Sequence, residues 1–348
     1  TWYPAPEDYY RFGRVTKDGE VCSGYRWYLD GNLSIPSTEP GFYVLEYGAY
    51  PAEIGVATPD ETELETESCV QRLLPYYAAA TLLSEEDPEA AQTALADRKP
   101  AKMYVTTTYP ENINFIRHYK LSDGTYCGDG FGNVSGKEIL GHVRDVDNAL
   151  QLGKFTREGA KDIIMMNWQG HPTGHSNGEH HYSILSYSGV AVSAVEEQLD
   201  CHCMYVLGAS GNVNNSTRIA EEKVSANYVD HYQRLAQYAI DAMANLKEVE
   251  IKGIEFLNQE HSFTTNNGIE TRALALSVAS IGGIAFTSVP YEMFSSSGVY
   301  IKENSPYEMT FISTCTNGYN TYMPTKDTFE YGGYEAGLCK FEPGTAEK

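Results

Sequence analysis

The sequence predicts an α/β protein, a mixed β-sheet core flanked by helices. Three observations support this. Apolar runs of strand length, at 163–168, 204–208 and 273–281, alternate with segments whose apolar residues recur at helical spacing. Hydrophobic residues make up 42% of the 348, enough for a sizeable core. No internal repeat and no clear linker divides the chain.

Residues 1–69 read as an irregular N-terminal segment or insertion, rich in Tyr, Pro and Gly. One hairpin is expected from Tyr25 to Asn32, because Asp30-Gly31 is a turn signal. The acidic run 57–68 suits a solvated helix N-terminus, with a calcium site as the alternative. From 70 to 348 the chain reads as one compact α/β domain. Helices are expected over 70–83 and over 87–97, the latter started by Pro88. A strand over 102–108 follows from β-branched and aromatic content. Ser122-Asp123-Gly124 is a turn. The Gly-rich loop 128–135 lacks the GxGxxG spacing of a nucleotide site.

The chain is organised around the strand 163–168, which runs into Gly170-His171-Pro172 and a Gly-rich loop. A histidine there is held rigidly and faces a cleft, as a metal ligand or general base would; the alternative is a satisfied histidine closing a strand. A helix over 189–199 leads to the strand 204–208. That strand enters Gly208–Asn215, where glycines let backbone amides point at a ligand. One long helix is expected over 219–246, with Val224, Tyr228, Tyr232, Leu235 and Ala239 on its core face. Strands over 249–257, 273–281, 283–290 and 309–314 complete the pattern. Glu292 sits just past one of them, and Tyr322 lies in the loop after the last.

The net charge of −22 argues against nucleic acid and anionic membrane surfaces as partners, since phosphate binding needs clustered cations. No apolar run is long enough to span a membrane. None of the seven cysteines forms a CxxC pattern, and Cys201-His202-Cys203 is too tightly spaced for a usual structural zinc site; a disulfide or two would suit a secreted protein. Three glycosylation acceptor patterns begin at Asn32, Asn133 and Asn214. The chain starts at Thr1 without a methionine or a signal peptide. The expectation is a processed chain or one piece of a longer polypeptide.

Four strand-end loops thus hold His171, Asn214, Glu292 and Tyr322. One histidine, one carboxylate and one phenolate make a hard donor set suited to zinc. The order of segments resembles the catalytic domain of the neutral (non-lysosomal) ceramidases. The matching pieces are Arg117-His-Tyr-Lys-Leu-Ser-Asp-Gly124, Asn167-Trp-Gln-Gly-His171-Pro-Thr173, Gly208-Ala-Ser-Gly-Asn-Val-Asn214, Val289-Pro-Tyr-Glu292-Met-Phe294 and Asn317-Gly-Tyr-Asn-Thr-Tyr322-Met-Pro-Thr325 with Tyr331-Gly-Gly-Tyr334-Glu335.

The resemblance implies a ceramidase-like fold and a zinc-dependent hydrolase of an amide (N-acyl) or ester bond, in which zinc-activated water attacks a carbonyl. It implies zinc ligands at His171, Glu292 and Tyr322, with Tyr334 and Arg117 beside the substrate. Asn214 stands where the true ceramidases have a serine, in Gly211-Asn-Val-Asn214. It is read as a donor to the substrate carbonyl. The family's His-Thr-His-Ser segment is absent, so the zinc site is expected to need completing, by a separate N-terminal chain, a homo-oligomer partner, or the local His175, His180 and His181. The stretch Leu185-Ser-Tyr-Ser-Gly189 also lacks an acid of the family pattern. A secreted or extracytoplasmic protein with a lipid-like or N-acyl small-molecule substrate is expected. The alternative is a catalytically inactive binding or structural subunit. A minor reading makes Thr1 an N-terminal nucleophile.

Overall fold

The structure is a computed structural model. It describes residues 97–172, 187–223, 228–251 and 253–348, and in 1–96 the backbone of six strands. The chain forms two compact units, Thr1–Glu65 and Thr66–Lys348. The expected helices over 70–83 and 87–97, the acidic run, and His175, His180 and His181 lie outside the described residues.

Within residues 1–69, expected as an irregular segment or insertion, the described backbone forms β1 (Trp2–Pro4), β2 (Tyr9–Lys17), β3 (Glu20–Val21), β4 (Arg26–Trp27), β5 (Asn32–Ser34) and β6 (Tyr43–Ala49). They make two three-stranded sheets, β1-β5-β4 and β3-β2-β6. The long strand β2 pairs with β6, and its register shifts between Tyr9 and Arg11 and between Phe12 and Val15. Those irregularities blur the period-two pattern that would have exposed the strand. The expected hairpin is present, with Arg26 opposite Ser34 and Trp27 opposite Leu33.

The second unit is built on a mixed five-stranded sheet of β7 (Ala101–Thr108), β12 (Leu150–Arg157), β13 (Ile163–Trp168), β14 (His202–Leu207) and β16 (Lys247–Glu248). The order is β14-β13-β12-β7-β16, and only β13 and β14 run parallel. Alternation along β13 splits the core between two faces. Ile164, Met166 and Trp168 face helices α1 (Tyr187–Leu199) and α2 (Tyr228–Ala242), packing with Val195, Leu235 and Ala239. Met165 faces the other way, toward Phe311, Ile281 and Ile284. Those belong to a second sheet of β17 (Ile254–Thr264), β18 (Thr271–Ile281), β19 (Ile284–Ser288) and β21 (Met309–Ser313), in which β19 and β21 are parallel. The layers are therefore helices, mixed sheet, mixed sheet.

Smaller elements lie at the strand ends. The strands β8 (Phe115–Ile116) and β15 (Val213–Asn214) pair with each other. A three-stranded sheet has the order β10-β9-β11, from β9 (His118–Leu121), β10 (Tyr126–Gly128) and β11 (Ile139–His142). The strands β20 (Glu292–Met293) and β22 (Tyr322–Met323) pair in parallel, and the short helices are α3 (Ser295–Asn304), α4 (Lys326–Tyr331) and α5 (Tyr334–Leu338). The Ser-Asp-Gly turn at 122–124 closes β9 onto β10, with Gly124 at φ +80°.

Two sequence expectations change. The long helix over 219–246 is replaced by a 3-10 turn at Ala220–Glu222, by α2, and by a second 3-10 turn at Met243–Asn245. Lys223 is extended, and the Glu222 carboxylate is taken by His142 at 2.8 Å and Thr217 at 2.8 Å, so tertiary contacts override helix propensity. The strand expected over 249–257 starts at Ile254. The chain leaves one sheet at β16 and enters the other at β17 by way of Gly253, whose φ of +147° suits glycine. Of the seven cysteines, Cys127, Cys201, Cys203, Cys315 and Cys339 are free thiols, and Cys22 and Cys69 lie outside the described side chains. Among the described residues no helix is long and apolar enough to cross a membrane.

The two sheets are joined by a fully buried side chain. Asn167 on β13 donates to the carbonyls of Val206 at 2.9 Å and Ile312 at 2.8 Å, and accepts from the Ile312 amide at 3.1 Å. Replacing it with Leu orphans buried backbone groups of β21. Asn167→Leu should lower unfolding stability in urea by about 1–3 kcal/mol. An unchanged midpoint would show that the two sheets do not depend on this link.

Candidate functional site

The parallel pairs β13/β14 and β19/β21 release their chain ends on the same side, where a cleft at strand carboxyl ends is expected. The loops that leave them are laced by backbone hydrogen bonds. Gly208 donates to Trp168 O at 2.9 Å, Thr314 to Leu207 O at 3.0 Å, Gly211 to Met293 O at 2.8 Å and Arg117 to Asn212 O at 3.0 Å. A Cβ at Gly211 would stand 2.8 Å from Glu292 O, so glycine is required for this loop to lie on β20.

His171 follows β13, and its side chain is largely buried, 18% exposed. Its Nδ1 lies 3.3 Å from Ser210 O. A carbonyl only accepts, so this contact needs the proton on Nδ1 and leaves a lone pair on Nε2. Burial lowers the His171 pKa, against the opposing charge of Glu292, which favours the neutral ring. Nε2 faces Glu292 Oε2 across 3.8 Å, too far for a hydrogen bond. That oxygen is buried and has no hydrogen-bond partner among the described residues. The other oxygen, Oε1, accepts from the Tyr319 hydroxyl at 2.8 Å. Glu292 is also the register partner of Tyr322, and its amide donates to Thr321 O at 2.8 Å. Burial raises the Tyr322 phenol; a hydrogen bond from Arg117 opposes this and the Glu292 charge adds to it.

Arg117 and His118 meet one carboxylate. Glu335, fully buried, receives Arg117 Nε at 2.6 Å on one oxygen and contacts His118 Nε2 at 2.8 Å with the other. His118 Nδ1 is 2.9 Å from the Tyr331 hydroxyl, and Arg117 Nη2 donates to Gly211 O at 2.8 Å. The guanidinium carbon is thereby fixed 5.5 Å from the centre of the Tyr322 ring and 5.8 Å from that of Tyr334. The two rings meet edge to face at 5.9 Å. Tyr334 packs over Gly130, where a Cβ would stand 2.9 Å from its ring. Burial raises the Glu335 pKa, but the His118 hydrogen bond and the attraction of His118 and Arg117 outweigh it, and the net shift is down.

Asn214 lies at the margin. Its Nδ2 donates to Asp129 Oδ2, while Asp129 Oδ1 is 3.4 Å from Arg218 Nη2. The amide expected to face a substrate carbonyl therefore gives one of its hydrogens to a carboxylate. The sequence expectation named His171, Glu292, Tyr322, Arg117, Tyr334 and Asn214. The structure gathers the first five by direct contacts or shared partners, and places Asn214 on Asp129. Missed were Glu335, His118, Tyr319 and Asp129. The first three sit inside the matched segments as neighbours of assigned residues, the one signal that could have found them. Among the described residues no group of three or more His, Cys, Asp or Glu could hold a metal ion. His171 and Glu292 supply two such donors, and Tyr322 adds a phenol.

Solved structures that share this fold include two ceramidases. One is the neutral ceramidase from Pseudomonas aeruginosa, with a TM-score of 0.54 at 13% identity over 73% of this chain and 51% of that protein. The other is a ceramidase complexed with C2, with a TM-score of 0.53 at 12% identity over 74% of this chain and 55% of that protein. The chain spans about half the length of the ceramidases it matches. No family model and no curated protein matches the sequence. The fold is thus ceramidase-like.

Glu335→Gln should lower stability by about 3–5 kcal/mol near pH 7, the scale for one member of a buried pair. The Glu335 pKa is depressed in the folded state, so its contribution is full above the unfolded value of about 4.3 and is lost as pH falls below it. Urea titrations at pH 7 and pH 3.5 should show the gap between wild type and variant narrowing at the lower pH. A gap that widens there contradicts the assignment.

Proposed function

We propose that the chain is a ceramidase-like hydrolase acting on an amide (N-acyl) or ester bond of a small, lipid-like substrate, with zinc held by His171, Glu292 and Tyr322. The observation behind this reading is the facing pair. Two acceptors, His171 Nε2 and Glu292 Oε2, stand 3.8 Å apart, and among the described residues nothing donates to that Glu292 oxygen. That arrangement is unfavourable without a cation. The separation is within twice the zinc ligand distance of roughly 2.0–2.2 Å. One histidine nitrogen, one carboxylate and one phenol give three protein ligands, the number usual where a zinc site keeps a position open for chemistry. Zinc supplies Lewis acidity to such a site, polarising a carbonyl and acidifying water.

The chain's own residues do the rest. The Ser210 carbonyl holds the His171 tautomer that offers Nε2. Arg117, its donors engaged by Glu335 and Gly211, keeps a fixed positive charge behind Tyr322 and Tyr334, where negative charge on a carbonyl oxygen would develop. Tyr334, half-exposed, presents its phenol toward the substrate. Asn214 keeps a second amide hydrogen for the substrate carbonyl, oriented by Asp129. Without a hydroxyl it offers no alkoxide nucleophile. A location outside the cytoplasm belongs to this reading and rests on the resemblance to ceramidases.

A second reading, a binding or structural subunit without catalysis, is favoured by Asn214 standing where the true ceramidases have a serine. Zinc content and hydrolysis of a panel of N-acyl substrates separate the two. His171→Ala should abolish both zinc and turnover. Asn214→Ala should keep the zinc and slow turnover by about 10²-fold, the scale of one lost oxyanion donor. A wild-type protein that takes up no zinc and cleaves nothing in the panel establishes the second reading. Turnover that survives His171→Ala contradicts the first.

A further inference from the structure

Tyr319 is an exposed aromatic with a buried task. Its ring is 60% exposed, so core packing does not hold it, yet its hydroxyl donates to Glu292 Oε1 at 2.8 Å. The loop that delivers it is strained. Cys315 at φ +54° and the β-branched Thr321 at φ +60° occupy the left-handed region that disfavours such residues, and Asn317, which tolerates it, lies between them at φ +61°. The same loop is clamped from four sides. Asn317 Nδ2 donates to Ser288 Oγ at 3.3 Å, Asn320 Nδ2 to Pro290 O at 3.1 Å, Thr321 Oγ1 to Leu338 O at 2.9 Å, and Arg272 Nη1 to Asn320 Oδ1 at 3.1 Å. Strain of this kind persists only where the surroundings over-determine the conformation, and it concentrates at functional sites.

The consequence is a choice of carboxylate oxygen. Glu292 has two, and the hydrogen bond to Oε1 leaves Oε2 as the one that faces His171 Nε2. We infer that Tyr319 is a positioning residue for the metal pair, holding Glu292 so that Oε2 and His171 Nε2 converge on one cation. The inference rests on the zinc reading above. It adds a residue that touches neither His171 nor, as a ligand, the ion. Hydrogen bonds that orient metal ligands commonly contribute 10–100-fold in affinity. The alternative role, a phenol that occupies the site and must be displaced, predicts the opposite sign.

The test is titration with Zn2+, read by calorimetry on the full chain, with apo-protein melting measured beside it. Tyr319→Phe keeps the exposed ring and removes only the hydroxyl. It should weaken zinc binding by about 10–100-fold, while the metal-free melting temperature stays within about a degree of wild type, because the lost hydrogen bond is at the surface. His171→Ala serves as the control for the site. Zinc binding lost in His171→Ala but equal or tighter in Tyr319→Phe overturns the positioning role and leaves the zinc reading intact. Zinc uptake absent from the wild type, or unaffected by His171→Ala, overturns both. A Tyr319→Phe variant that binds zinc weakly only because its apo form melts well below wild type also overturns it, since the loss would then be structural.

Discussion

The interaction on which the site depends is the buried carboxylate of Glu335 between Arg117 and His118. A carboxylate without solvent is costly unless it is paired and hydrogen-bonded, and here each oxygen has a partner. Neighbouring residues on a strand point to opposite faces. Arg117 falls between β8 and β9, and that break lets it and His118 turn onto the same carboxylate. On the other side of the contact the chain does something similar. Tyr334 and Glu335 are adjacent at the start of α5, so the residue that shapes the cleft and the residue that anchors it arrive together. Moving either dipeptide moves both the charge and the ring.

The cleft itself follows from strand direction. Only two pairs in the second unit's larger sheets run parallel, β13/β14 and β19/β21, and their loops leave together. His171 comes from the first pair and Glu292 from the second. Tyr322 is placed beside Glu292 by the short parallel bridge of β20 and β22. Asn167 ties the two sheets together one strand turn below, so the distance between His171 and Glu292 is set by buried backbone and not by flexible side chains. An oxygen without a partner among the described residues, in so constrained a place, stands out in a folded chain, where nearly all buried polar atoms are satisfied.

Three of the five left-handed non-glycine residues among those described, Cys315, Asn317 and Thr321, lie in one loop beside the cleft, and the network of Glu335 lies beside it too. The opposite features, alternating apolar strands and a helix pair packed by Val195, Leu235 and Ala239, make up the rest of the second unit. A rigid apolar scaffold that carries its irregular backbone at one rim is the usual division between stability and chemistry.

Much of the fold was legible in the sequence because it is written locally. Apolar runs of strand length marked β13, β14 and β18, β-branched and aromatic content marked β7, and glycine and proline marked the end of β13. That is why His171 and Glu292 were recognisable as residues just beyond strands, and why the hairpin at Asp30-Gly31 could be named. The rest depended on partners distant in the chain. Nothing near residue 117 announces Glu335, and nothing near 292 announces that Tyr319 and Tyr322 lie beside it. The break in the helix after Glu222 came from His142, and the direction of the Asn214 amide came from Asp129. The sequence by itself determined which residues end strands and what donors they offer. Only the tertiary structure decided which of those donors face one another, because pairing across hundreds of residues is settled by packing and hydrogen bonding in three dimensions and leaves no local period to read.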